Sequence, residues 1–179
     1  MVEISRPLLE DLAALNDWLS KAVQRGPVAV VAGKNGDMDT IGSAVALAAT
    51  HPNLLACGVH LGRLARTMVE HHSAPFRHLK QHQTAWPKLL GGIVVVDAAA
   101  PDQTGLTLPS VPCCVIDHHA TDAWDLNEDD LSLKWDVRST TEVVAHYLDQ
   151  HSPSSMTSAV CRSEEHTSEL QSPCNLVCR

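Results

Sequence analysis

The chain has 179 residues, a formal net charge of −8, and 44% hydrophobic against 19% charged residues. That apolar content is enough to bury a single domain-sized core. The acidic balance excludes a broad electrostatic footprint for duplex nucleic acid, which requires clustered Lys and Arg to replace counterions, and leaves room for a small phosphorylated substrate held through cations.

Leu8, Leu12, Leu15, Leu19 and Ala22 recur every three or four residues, with Pro7 at a first helical position and Gly26-Pro27 as the stop; this predicts an amphipathic helix. Glu3, Arg6, Glu10 and Asp11 interrupt the apolar stretch a signal peptide would need, and no later segment is long enough to span a bilayer. The chain therefore reads as cytoplasmic, with no membrane partner. PVAVVAG (27–33) is a short, β-branched apolar run bounded by Pro and Gly, the pattern of a strand buried on both faces. After a polar turn, the Ala-rich IGSAVALAAT (41–50) predicts a helix, and LLACGVHL (54–61) a strand. RLARTMVEHH (63–72) and APFRHLKQH (74–82) both read as helical, with His71, His72, His78 and His82 on a solvated face. GGIVVVD (91–97) and PCCVID (112–117) repeat the buried-strand pattern, and Ser139-Thr140-Thr141-Glu142 has the spacing of a capping box opening the helix EVVAHYLDQH. Strands alternating with helices predict an α/β fold, a mostly parallel sheet flanked by helices in a Rossmann-like three-layer arrangement.

Cys57, Cys113 and Cys114 lie inside apolar runs and read as structural thiols, and no pair of Cys-x-x-Cys motifs is present to hold zinc. The segment RSEEHTSELQSPCNLVCR (162–179) has no periodicity and resembles the in-frame translation of a short-read sequencing adapter. It is set apart as a non-native tail, expected to be disordered, and its His166, Cys174 and Cys178 are not counted as ligands. Residues 1–161 form the domain proper, and the native product is expected to continue past Cys161.

Three of the predicted strands run out into polar groups: 28–32 into GKNGDMD, 93–96 into Asp97, and 114–116 into Asp117-His118-His119. In a parallel sheet these exits share one rim, where ligands of open α/β sheets bind. Carboxylates gathered there repel one another unless something positive sits between them. Carboxylate with imidazole and no thiolate favours Mn²⁺ or Mg²⁺. Two such ions sharing Asp97 would polarise a phosphoryl oxygen and activate a water, the chemistry of phosphoester hydrolysis. Gly42 and Ser43 could offer backbone N–H groups to a phosphate, His60 could reach the rim from its strand, and Ser139 to Glu142 read as a cap.

NGDMDTIGSAVAL, VVVDAAAPDQTG, VIDHHAT and STTEVVAHYL, in this order and spacing, resemble the DHH phosphoesterase family over roughly residues 27–150, in particular its RecJ-like and oligoribonuclease-type N-terminal domain. The resemblance implies an N-terminal α/β domain carrying the metals and a smaller C-terminal substrate domain. It implies substrates such as nucleotides, short oligonucleotides, cyclic dinucleotides or single-stranded DNA, with pyrophosphate in a related branch. By position it makes Asp37, Asp39, Asp97 and His118 metal ligands, with Asp97 bridging two ions. Asp117 would orient His118, and His119 would contact the phosphate or act as an acid. Lys34, Asn35 and Ser43 would contact substrate. Where the family pattern places a histidine, four residues before Asp37, this sequence has Gly33, and the family's last metal-binding Asp would lie beyond the STTE helix.

These features give three expectations. The first is a metal-dependent hydrolase of nucleotide or short single-stranded nucleic-acid phosphoesters, weakly active or inactive as this fragment. The second, supported by Gly33, is a non-catalytic nucleotide- or metal-binding regulatory domain. The third, from the Gly-Lys-Asn-x-Asp-x-Asp order, is an inorganic pyrophosphatase.

Overall fold

The computed structural model describes residues 6–82, 85–121 and 123–155. The expected tail, 162–179, and the expected boundary at Cys161 lie outside the described residues.

The first apolar stripe forms helix α1 (Arg6–Arg25), burying Leu12, Leu15, Leu19 and Ala22. It is followed by strand β1 (Val28–Ala32), helix α2 (Met38–Ala48), strand β2 (Leu54–Gly58) and helix α3 (Arg63–His71). Strands β3 (Phe76–His78), β4 (Gly92–Val96), β5 (Cys113–Asp117) and β6 (Leu131–Lys134) complete a six-stranded sheet, and helix α4 (Thr140–His151) follows. Every strand pair is parallel, and the order is β3-β2-β1-β4-β5-β6. The chain reverses its direction of sheet growth between β1 and β4, which makes their C-terminal ends the topological switch point.

Because side chains alternate along a strand, the two faces are read off directly. Val28, Val30, Ala32, Val94, Val96, Cys114 and Ile116 pack with residues of all four helices. Ala29, Val31, Cys57, Ile93, Val95, Cys113 and Val115 form a second cluster. Its cover is a layer of connecting segments that supply Leu79, Trp86, Leu106 and Trp124. The result is a three-layer α/β fold in which one outer layer is helical and the other irregular. The central strands β1, β4 and β5 are buried at every position, which is why they read as unbroken apolar runs rather than alternating ones.

Four local expectations are corrected. The second helix starts at Met38, not Ile41, because Asp37 caps it by accepting from the Thr40 N–H. The strand after it stops at Gly58. Residues 74–82 do not form a helix: Ser73 turns into the left-handed region at φ 49°, Pro75 disfavours helical backbone at Ala74, and Phe76–His78 pair with β2 in the register Ala56↔Phe76 and Gly58↔His78. With three residues, β3 is too short to show alternation. Strand β6 lies in a stretch where no strand was expected, and it extends the sheet through pairing with β5. By contrast, Ser139 is the N-cap of α4, its hydroxyl accepting from Glu142 N at 3.3 Å. Cys57, Cys113 and Cys114 are buried free thiols. Among the described residues no helix is long and apolar enough to cross a membrane.

Candidate active site

Asp97 is the first residue after β4 and sits at φ 58°, a backbone conformation that a non-glycine residue adopts rarely and at a cost. The turn leaves its carboxylate 6% exposed yet directed at the switch point. Two buried hydroxyls hold it there: Thr40 Oγ1 donates to Oδ2 at 2.5 Å, and Thr140 Oγ1 donates to Oδ1 at 3.3 Å. One hydroxyl comes from α2 and the other from α4, so the rim is where two helix starts and the end of β4 meet.

His118 follows the end of β5. Its Nε2 lies 3.5 Å from Asp97 Oδ1 and 3.6 Å from Asp39 Oδ2. His119 Nδ1 lies 3.8 Å from Asp97 Oδ1 and 2.6 Å from Asp117 Oδ1, and the two imidazole rings are 4.6 Å apart. Asp97, His118 and His119 each offer a ligating atom within 4.8 Å of the others. Asp117, expected to orient His118, instead bonds His119, because residues two apart at the end of an extended strand project to the same side.

The carboxylates on the β1 side are placed differently. Asp37 is exposed; its Oδ1 accepts from Thr40 N at 3.0 Å and lies 2.9 Å from Thr40 Oγ1, whose one proton the shorter contact assigns to Asp97. Asp39, in the first turn of α2, caps the start of α4. Its Oδ2 accepts from Thr140 N at 2.9 Å, and its Oδ1 from Thr141 N at 2.7 Å and Thr141 Oγ1 at 2.5 Å. Gly33 has no room for a side chain, since a Cβ there would meet the Asp97 carbonyl oxygen at 2.5 Å.

The remaining expected residues scatter. Lys34 and Asn35 are exposed on the loop after β1, with Lys34 N donating to Gln103 O at 2.7 Å and Lys34 Nζ reaching Asp102 O at 3.5 Å. Ser43 is fully buried, its hydroxyl 3.1 Å from Thr141 Oγ1. Because α2 starts at Met38, the N–H groups of Gly42 and Ser43 fall inside the helix, past the four that lack intrahelical partners; their expected role as phosphate donors is corrected on that ground. His60 is exposed and lies against Gly36, where an added Cβ would meet its carbonyl oxygen at 2.6 Å, so it borders the loop that carries Asp37. His71, His78 and His82 are exposed, and His72 is half-buried.

The electrostatics follow from this crowding. Burial would raise the Asp97 carboxyl, but contacts from His118 and Thr40 and the charges of His119 and His118 outweigh it and hold the group below its ordinary range. Asp39 moves the other way, pushed up by burial and then by Asp97, against its bonds from Thr141 and Thr140. His118 is pushed up to about 9, chiefly by Asp97 and against burial, with further help from the charges of Asp39, Asp97 and Asp117. Without another cation, a proton on His118 is what neutralises the rim. The donor set of buried carboxylate and imidazole fits a divalent ion of the Mn²⁺ or Mg²⁺ kind.

No pattern in the sequence marks the three threonines. Thr40 reads as an ordinary helix residue after GDMD, and Thr140 and Thr141 as parts of a cap. Only the crossing of α2 with α4 over the end of β4 reveals that their hydroxyls hold acidic residues.

Residues 27–170 match the family model for the DHH family, N-terminal domain. The chain belongs to the DHH family. Its DHH signature is Asp117-His118-His119, the same triplet that the end of β5 delivers to the rim. The DHH match extends past Cys161. No curated protein matches the chain. Among solved structures, an exopolyphosphatase-related protein from Bacteroides fragilis is similar, with TM-score 0.68 and 14% identity, covering 95% of this chain and 51% of that one. A protein described as a family II inorganic pyrophosphatase from Methanococcus jannaschii is similar with TM-score 0.53 and 16% identity, covering 79% of this chain and 55% of that one. At these identities the likeness is one of fold. The chain spans about half the length of both structures.

Proposed function

We propose that this DHH domain is the metal-dependent part of a cytoplasmic phosphoesterase that hydrolyses phosphodiester or phosphomonoester bonds of nucleotides or short single-stranded oligonucleotides, in the manner of an exonuclease. The observation that carries the reading is a buried carboxylate in strained backbone, Asp97, facing His118 at 3.5 Å and His119 at 3.8 Å. Three buried free thiols suit the reducing cytoplasm.

In this reading Asp97 and His118 hold the ion, with His119 beside them. A bound Mn²⁺ or Mg²⁺ supplies Lewis acidity toward a phosphoryl oxygen and a more acidic water. The chain supplies the positioning. Thr40 and Thr140 fix both oxygens of Asp97. Buried Asp117 lies 2.6 Å from His119 Nδ1; with Nδ1 turned to that carboxylate, Nε2 is the ring atom available to a phosphate oxygen. When charged, His119 donates from Nε2 to the departing alkoxide as a general acid. Lys34, exposed beside the rim, adds positive charge on the side from which an anionic substrate approaches.

The test is Mn²⁺-dependent hydrolysis of short oligonucleotides by the intact gene product, lost in His118→Ala and Asp97→Ala variants that still unfold cooperatively. Because the chain spans about half of the similar structures, weak or absent turnover is expected for this chain by itself. A second reading, hydrolysis of a phosphoanhydride, is favoured by the names of the two similar structures; phosphate release from pyrophosphate, with oligonucleotides left intact, selects it. Ligand binding without turnover by the intact protein would favour a regulatory domain, the reading that Gly33 supports.

A further inference from the structure

We infer that the corner formed by the end of β2, the start of α3 and the turn after β3 is a track for single-stranded nucleic acid. On it Lys34, Arg63, Arg66 and Lys80 take backbone phosphates beyond the scissile one, and the rings of His60 and His82 take bases. The inference rests on the oligonucleotide reading above and adds the path of the strand outside the acidic centre.

Charge is distributed unevenly enough to define that path. Between Asp39 and Asp97 the chain carries Arg63, Arg66, Arg77, Lys80 and Lys88 against a single carboxylate, Glu70, although its net charge is −8. Negative charge gathers instead in 125–130, DLNEDD, the segment that leads into β6 at the opposite edge of the sheet from β3. The field therefore favours a polyanion on the β3 side.

Backbone contacts bring these cations to the rim. Gly62 N donates to Gly36 O at 2.7 Å, and a Cβ on Gly62 would lie 3.9 Å from Asp37 Cα. Helix α3 thus starts beside the loop that carries Asp37, with Arg63 and Arg66 at an i,i+3 spacing that shares one face. Leu79 N donates to Gly58 O at 2.8 Å and His82 N to Gly105 O at 2.9 Å, which anchors the turn holding Lys80 at the same end of the sheet. Gly105 in turn adjoins Lys34, whose Cβ would be 3.6 Å from a Cβ added there, and His60 adjoins Gly36. Lys34, His60, Arg63, Arg66, Lys80 and His82 are all exposed. Among the described residues none of these Lys and Arg side chains pairs with a carboxylate. Lys34 Nζ and Arg66 Nη2 reach backbone carbonyls instead, Asp102 O and Leu61 O, each at 3.5 Å.

The mixture of cations and rings selects the occupant. Unstacked bases lie on aromatic side chains, histidine included, while Lys and Arg follow the phosphates. A chain of phosphates alone would use the cations and leave the imidazoles without a role. Duplex fits less well, because the patch is short and the rest of the chain is acidic.

Fluorescence anisotropy of a labelled oligothymidylate of about ten nucleotides, mixed with the 179-residue chain in a chelator, reads the track apart from metal and chemistry. Binding is expected to weaken with salt at a log–log slope of about −2 to −3. Arg63→Gln with Arg66→Gln reduces the steepness by about 1.4 and weakens binding about tenfold at low salt. Arg63→Lys with Arg66→Lys keeps the slope, as does Lys21→Gln, which removes a cation on α1 that pairs with Asp17. Absence of binding, or an unchanged slope in the Arg→Gln double variant, overturns the track. Tighter binding of inorganic polyphosphate than of oligothymidylate at equal charge overturns it too, since the rings then contribute nothing. The intact gene product separates this inference from the hydrolase reading. Oligonucleotide hydrolysis whose KM does not rise in the Arg→Gln double variant overturns the track and leaves the hydrolase standing. Salt-dependent strand binding without any Mn²⁺-dependent hydrolysis does the reverse.

Discussion

Asp39→Ala separates capping from ligation most sharply. The Asp39 carboxylate accepts two backbone N–H groups at the start of α4, at 2.9 and 2.7 Å, and the Thr141 hydroxyl at 2.5 Å. Loss of a helix-capping carboxylate costs about 1–2 kcal/mol, and a hydroxyl left without its acceptor in a site 1% exposed adds about 1–2 kcal/mol. Thr141 keeps Ser43 as a neighbour at 3.1 Å, and removal of Asp39 relieves the repulsion from Asp97 that raises its carboxyl. Both effects trim the sum to about 2 kcal/mol. For a chain of this size that is a fall in Tm of about 4–8 °C. The assay is urea unfolding followed by circular dichroism in the presence of a chelator, so that no metal contributes. A loss below about 0.5 kcal/mol there, together with collapse of Mn²⁺ affinity, would refute the reasoning and make ligation the main role of Asp39.

Three further outcomes are expected. Thr40→Val, which keeps shape but removes the hydroxyl between Asp37 and Asp97, weakens Mn²⁺ binding by about 10–100-fold, and Thr40→Ser restores most of it; equal affinity in all three proteins contradicts a positioning role. The second concerns pH. His118 is pushed up to about 9 in the folded protein, above its unfolded value of about 6.5. Its protonation therefore stabilises the metal-free fold fully below about pH 6.5, and that stability is lost as pH rises through about 9. Metal must displace this proton, so the rise in Tm caused by Mn²⁺ grows as pH increases across that window; a rise independent of pH speaks against His118 as a ligand. Finally, Gly33→Ala forces a Cβ to within 2.5 Å of the Asp97 carbonyl oxygen and costs about 1–3 kcal/mol in urea unfolding, whereas a neutral effect would mean that the β1 exit can move away from β4.

The sheet was legible because its central strands are buried on both faces. Val28–Ala32, Gly92–Val96 and Cys113–Asp117 have no polar positions to interrupt the apolar run, and Pro or Gly marks their starts. The edges were not legible. β3 has three residues, none of them buried, and Pro75 with Ser73 decides its backbone more than any periodicity does. β6, LSLK, exists through pairing with Asp117 and its neighbours, a long-range contact that four residues of sequence do not encode. At the rim, the convergence of Asp97, Asp117, His118 and His119 follows from parallel strands alone, and so was readable in the sequence. The bonds that Asp39 accepts from Thr140 and Thr141 were not, because they are settled by where α4 crosses α2. That crossing depends on packing among Ile41, Val45, Val143 and Val144, not on the acidic motif.

The most direct measurement is the anomalous scattering of manganese in crystals of the chain grown or soaked with Mn²⁺. The account predicts a peak within bonding distance, about 2.0–2.2 Å, of an Asp97 carboxylate oxygen and a His118 ring nitrogen, at the C-terminal ends of β4 and β5. A fully soaked crystal with no peak at that rim, or with manganese bound only elsewhere on the surface, would contradict it.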